Sequence, residues 1–155
     1  MKADGEDLEH DVATVLGYML LEYSKLDMEL GLCLVWSDEG RYVDEVSRNV
    51  DPANFNGRLK RLQKLAKSKY AQAPAADAYV KWLSDAHEVR DLRNQLVHGR
   101  WGFLPQQGVV ANVVGLPTAP EQTETRYSLA QLQESVRAIR VLRDRLSELR
   151  RMWPV

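Results

Sequence analysis

The chain has 155 residues, 45% hydrophobic and 28% charged, with a net charge of −1, the size and composition of one domain with its own core. Near-neutral charge excludes a wholly basic nucleic-acid binder but leaves local patches open. A single cysteine excludes a disulfide framework or a cysteine-rich metal site. No apolar run approaches the ~20 residues of a membrane span, and residues 1–7 are acidic and lack the apolar centre of a signal peptide. A cytoplasmic protein is expected.

In chain order, residues 1–7 read as a loose polar leader. From Leu8 to about Trp36, apolar residues recur in steps of three and four (Leu8, Val12, Val15/Leu16, Met19, Tyr23, Leu26, Leu30, Cys33/Leu34), which predicts a helix of roughly eight turns. Tyr18, Leu20 and Leu21 widen the stripe. Such a helix is the spine of a bundle, and its second face is a candidate dimer surface. Ser37-Asp38-Glu39-Gly40 reads as a stop and Asp51-Pro52-Ala53-Asn54 as a fresh start; between them, residues 41–50 fit a loop or a short helix.

A second helix is expected over 55–70, with Phe55, Leu59, Leu62 and Leu65/Ala66 inward. Arg58, Lys60, Arg61, Lys64, Lys67 and Lys69 would form a basic outer face, readable either as a track for a phosphate backbone or as a solvated lysine face. After a turn at 71–76, a third helix from about Ala75 to His98 buries Tyr79, Trp82/Leu83, Ala86, Val89, Leu92/Arg93 and Leu96. Past Gly99 the period shortens. Residues 101–103, 109–114 and 123–127 read as short strands of an antiparallel hairpin or three-stranded meander, which must lean on the helices for stability. Ser128 then caps a last helix reaching about Trp153, with Leu132, Val136, Ile139, Leu142, Leu146 and Leu149 inward and an arginine-rich exterior. The fold class is mostly α: a four-helix bundle with a small β insertion at about 100–127, all in one domain.

Chemistry concentrates at the end of the third helix, Arg90-Asp91-Leu92-Arg93-Asn94-Gln95-Leu96-Val97-His98-Gly99-Arg100-Trp101. Arg90, Asn94 and His98 lie at i, i+4 and i+8 on a slowly drifting stripe. Arg93 lies off it, with an arm long enough to reach across. Gly99 suits the left-handed position just past a helix end. The bland alternative is that His98 caps the helix and that Arg90 and Arg93 pair with Asp91, Glu88, Asp85 or Glu29. Walker, dinucleotide and His-Glu-x-x-His motifs are absent, and His10, His87 and His98 have no shared-metal spacing, so neither a metal nor a cofactor is expected. Cys33 reads as a core thiol, and Trp36, Trp82, Trp101 and Trp153 as core or interface anchors.

Arg93-Asn94-x-x-x-His98 resembles the Arg-x(4–6)-His motif of the HEPN superfamily, helical bundles that carry it late in a helix, often with a polar residue after the arginine. The long first helix with Tyr23, Leu26 and Glu29, Trp82, and the arginine-rich last helix fit the same organisation. The resemblance spans most of the chain in layout, but its specific part is about a dozen residues.

It implies a metal-independent endoribonuclease acting as a homodimer, with two motifs facing across a shared cleft. His98 would take the ribose 2′-hydroxyl proton, and the oxygen would attack phosphorus to leave a 2′,3′-cyclic phosphate. Arg93 would stabilise the phosphoryl oxygens, Asn94 would hold the histidine or a phosphate oxygen, and Arg90 or Arg100 would grip RNA, with Lys60, Lys64 and Lys67 as a further RNA track. The setting implied is stress response or phage defence, with a regulatory protein partner as in toxin–antitoxin pairs. Members paired with a nucleotidyltransferase carry a tyrosine two residues after the histidine; here that residue is Arg100. Other members are non-catalytic modules that dimerise or bind a partner.

Overall fold

The computed structural model describes residues 2–155, with side chains from Gly5 onward. Helix α1 spans Lys2–Val35, about 50 Å at 1.5 Å per residue. Residues 2–7, expected as a loose leader, are its first turns, while Met1 lies outside the described residues. Val12, Met19, Tyr23, Leu26, Leu30, Cys33 and Leu34 form its buried stripe. The helix ends where Asp38, Glu39 and Gly40 all take positive φ (52°, 56° and 73°). Gly40 is required there, because a Cβ would come within 2.6 Å of the Trp36 ring. The undecided stretch then resolves as a short helix, α2 (Val43–Val50).

Helix α3 (Phe55–Lys69) starts at Asn54, whose side chain accepts from the Gly57 N–H at 2.9 Å, a normal N-cap. Helix α4 (Ala75–His98) follows and packs antiparallel to it: Tyr70 stacks on Tyr79 near the turn, and Arg90 donates to Asn56 at the other end. Helix α5 (Leu129–Met152) begins with a capping box between Ser128 and Gln131. Helix α1 packs on α5 and α3, and α4 packs on α3 and α5. The protein is therefore mostly helical with a small antiparallel sheet.

Fully buried Trp82 sits between α4 and α5, its indole donating to the Leu142 carbonyl at 2.8 Å. Across the α1–α5 seam, Arg143 donates to Glu22 at 2.8 Å and to Glu29 at 2.7 Å. Lys25 and Arg140 also approach Glu22. The hydrogen bond from Lys25, with further help from Arg143, holds the Glu22 carboxyl below its ordinary range despite burial. The last residues are tied back: Tyr79 and Tyr70 hydroxyls donate to the Trp153 and Pro154 carbonyls, each at 2.7 Å.

Strands β1 (Arg100–Leu104), β2 (Val109–Val114) and β3 (Thr123–Ser128) form a meander in that order. Trp101, Asn112 and Thr125 align across it, as do Phe103, Val110 and Tyr127, so these six share one face. That face lies against the helices, with Val110 and Asn112 fully buried. Gln95 of α4 donates to Thr125 Oγ1 at 3.1 Å and to the Tyr127 hydroxyl at 3.0 Å, fastening the sheet to the helix. No helix among the described residues is long and apolar enough to cross a membrane.

Candidate functional site

The end of α4 is built by three local contacts. The Gly99 N–H donates to the Gln95 carbonyl at 2.8 Å, and the Trp101 indole donates to the Leu96 carbonyl at 3.1 Å. These satisfy carbonyls that a helix terminus leaves open. The third contact corrects the expectation for Gly99. Its backbone is extended (φ −74°, ψ 156°), not left-handed. Glycine is required for space instead: a Cβ at this position would collide with the Asn112 side-chain amide. Asn112 was not a sequence candidate, since a lone asparagine in an apolar strand gives no signal. It is fully buried, and neither its Oδ1 nor its Nδ2 has a hydrogen-bond partner.

Arg93 projects inward from α4, on the core-facing stripe continued by Ala86 and Leu96. Its guanidinium carbon lies 5.2 Å from the centroid of the Tyr23 ring, a cation–π distance. Its Nη1 donates to Asn94 Oδ1 at 3.1 Å, so the arm does reach across to the polar stripe. Nε is buried without a partner, and among the described residues no carboxylate lies within ion-pair distance. Tyr23 itself packs on Phe55 at 4.8 Å between centroids. Burial pushes its phenol up to about 12, against the opposing pull of the Arg93 charge. Tyr23 therefore stays neutral and offers its π face to the guanidinium. Sequence reasoning placed Tyr23 on the right helix but could not pair it with Arg93, because a contact between helices so far apart in the chain leaves no local trace.

His98 is the last residue of α4, exposed, and makes no side-chain hydrogen bond among the described residues. It stands one turn beyond exposed Asn94 on the same face. Arg93, Asn94 and His98 thus occupy one helix end, the first two in contact. Arg90 is held instead: it donates to Asp91 Oδ1 (3.0 Å from Nε) and to Asn56. Arg100 is exposed and tied to the β2–β3 connection, donating to the Gly115 carbonyl at 3.1 Å and to Gln122 Oε1 at 2.7 Å.

The basic helix divides. Arg58 points inward, donating to Asp27 Oδ1 at 2.9 Å and to the Val50 and Asp51 carbonyls. Gly31 leaves room for it, since even a Cβ there would be 3.2 Å from Nη1. Arg58 therefore belongs to the packing and not to the outer basic face. Lys60, Lys64, Lys67 and Lys69 are exposed and make no ion pair among the described residues. Because α3 runs antiparallel to α4, Lys67 lies about 16 Å along the axis from Asn56, while His98 lies about 12 Å beyond Arg90 the other way. Within one chain, the lysine track and the α4 end are separate.

Between α4 and α5 runs a groove of about 500 Å³. Val89, Leu92, Ala138 and Ile139 line it, with Arg93 among its polar members and Asp85 and Arg145 paired in it. That pairing lowers the Asp85 carboxyl from its ordinary range. Elsewhere, Cys33 is 2% exposed, and burial pushes its thiol up to about 11, as expected of a core cysteine. No group of three or more His, Cys, Asp or Glu side chains converges as a metal site among the described residues.

Protein-family models, curated proteins and solved structures all yield no match to this chain.

Proposed function

We propose that the chain is a metal-independent endoribonuclease of HEPN type, a homodimer whose α1, α3, α4 and α5 make the four-helix bundle of that superfamily. The observation that carries this reading is the state of Arg93. It is a half-buried guanidinium with no carboxylate, braced by Tyr23 and Asn94, at the helix end that presents an exposed His98. A guanidinium with no acid beside it keeps donors free for the oxygens of a phosphoryl group.

In this mechanism the neutral His98 imidazole accepts the ribose 2′-hydroxyl proton as that oxygen attacks the adjacent phosphorus. The P–O5′ bond breaks, leaving a 2′,3′-cyclic phosphate, and the 5′-oxygen takes a proton from the imidazolium that His98 has become, leaving as a hydroxyl. Arg93 donates to the non-bridging oxygens as their charge builds. Asn94 holds the guanidinium in register. Lys60, Lys64 and Lys67 draw in the RNA backbone at a distance from the chemistry. The cellular setting proposed is cytoplasmic stress response or phage defence, with a regulatory protein restraining the activity.

The test is incubation of purified protein with total RNA in EDTA, beside His98→Ala and Arg93→Ala variants shown to be folded by circular dichroism. Cleavage leaving cyclic-phosphate ends, reduced ~10²–10⁴-fold in each variant, is the expected result. Intact RNA from all three samples would favour the second reading, a non-catalytic module that binds a protein or ligand. The apolar groove between α4 and α5 is the observation in its favour.

A further inference from the structure

The groove between α4 and α5 starts at Arg93 and runs back along α4 to Asp85, away from His98. That is about 12 Å at 1.5 Å per residue. Val89 and Leu92 of α4 and Ala138 and Ile139 of α5 supply its apolar surface. Apolar side chains on two helices make a slot for a flat group, and about 500 Å³ is the scale of a small-molecule site.

Charge along the groove is uneven. Arg93 is the cation at one end, and at the other Arg145 is neutralised by Asp85. The remaining charges are Glu88 on α4 and Glu134 on α5. Glu88 is exposed and has no hydrogen-bond partner among the described residues. Glu134 accepts from Arg137 through Oε2, which leaves Oε1 for another donor. Ser135 Oγ donates to the Gln131 carbonyl at 3.1 Å, so it offers the groove lone pairs. Gln131 adds an amide N–H, its Oε1 being taken by the Ser128 N–H. Past Arg93 the groove therefore presents mainly acceptors and negative charge. This repels a second phosphate and suits an uncharged ring that carries N–H donors.

A nucleotide is divided in the same way. Its phosphate is anionic, and a sugar away lies a flat ring that proteins hold between side chains and read along its polar edge. Carboxylates accept from the amino group of cytosine; adenine and guanine also carry an amino group, and uracil has none. A basic peptide would match the acids of the groove but would meet Arg93 with like charge.

We infer that the α4–α5 groove holds the base of the nucleotide on the 5′ side of the cut and favours a base with an exocyclic amino group over uracil. The inference rests on the nuclease reading, in which Arg93 takes the phosphate attached to that nucleotide's 3′-oxygen. In the proposed homodimer the Arg93 end of each groove opens into the shared cleft, so each base slot adjoins the phosphate it serves.

The test is NMR titration of the full chain with cytidine 3′-monophosphate and uridine 3′-monophosphate, read at the Leu92 and Ile139 methyls. Folding of each variant is checked by circular dichroism. The cytidine nucleotide should bind on the order of 10-fold more tightly. Glu88→Ala/Glu134→Ala, altered at exposed positions, should erase that preference. Ala138→Trp, which fills the slot from an exposed position, should abolish binding of both. Cyclic-phosphate ends mapped in cleaved RNA should be poor in uridine with the parent and not with the double variant. Equal binding of the two nucleotides, or groove methyls that do not shift, overturns the inference even where RNA is cut. Failure of both to bind also overturns it and leaves the groove to a protein partner. Selective binding without RNA cleavage keeps the base slot and removes the nuclease reading. Loss of the dimer in Ala138→Trp, read by sedimentation velocity, would assign the groove to a second copy and overturn the inference.

Discussion

Arg143 and Arg93 are both partly buried arginines beside α1, and their surroundings differ in kind. Arg143 meets two carboxylates, Glu22 and Glu29, through three hydrogen bonds. Arg93 meets one side-chain amide and one aromatic face, and its Nε is left without a partner. The first arrangement uses charge to close the α1–α5 seam. The second leaves a half-buried charge without an acid, at some cost in stability. The protein thus sets an arginine that ties two helices through carboxylates beside one that meets no acid among the described residues, the one the proposed activity assigns to a phosphoryl oxygen.

Removal of each guanidinium should expose that difference. Arg143→Ala strands the buried Glu22 carboxylate and should cost about 2–3 kcal/mol in urea unfolding, somewhat under the usual range for a broken buried pair, because Lys25 and Arg140 remain. A loss below about 0.5 kcal/mol would end the claim that this network organises the seam. Two ion-paired carboxylates, Glu22 in this network and Asp85 on Arg145, contribute to acid sensitivity. Glu22 and Asp85 are both lowered in the folded state from ordinary values of 4.5 and 3.8. Their stabilisation is fully present above those values and is lost as pH falls through the lowered ones. Chemical denaturation between neutral pH and pH 3 should therefore show declining stability, with the decline shallower in Glu22→Gln.

Gly99→Ala drives a methyl into the Asn112 amide and should cost about 2 kcal/mol, typical of overpacking. Adding Asn112→Ala should recover part of that loss, a positive coupling readable by a double-mutant cycle. Additive losses would mean that the two residues do not meet. Arg93→Met should be the mildest change, within about 1 kcal/mol of the parent, since no ion pair is broken. A large loss there would place Arg93 with the structural arginines and weaken the proposed activity.

The helices were readable because their apolar residues keep a period of 3.6 over long stretches, as in α1 and α5. The meander was readable because Gly108 and Gly115 punctuate β-branched runs. What escaped the sequence was contact between distant segments. Arg58 looked like one more basic residue on an outer face, and only the positions of Asp27 and Gly31 on another helix turn it inward. Gly99 looked like a left-handed cap, because the asparagine that excludes its Cβ arrives with a strand thirteen residues later. At the site, the order of Arg93, Asn94 and His98 along α4 could be read directly. The Tyr23 ring that braces Arg93 could not.

The fit of Asn112 over Gly99 also bears on how the sheet finds its place. Slipping β2 by one residue would turn every side chain to the opposite face. Slipping it by two would set Val110 or Val114 against the glycine, with branched bulk where a flat amide now lies. Only one alignment of the strand puts its single polar inward residue on the only residue of the α4 end that lacks a side chain. The pair acts as a key in a slot, fixing the phase of the whole meander at the point where the chain leaves His98.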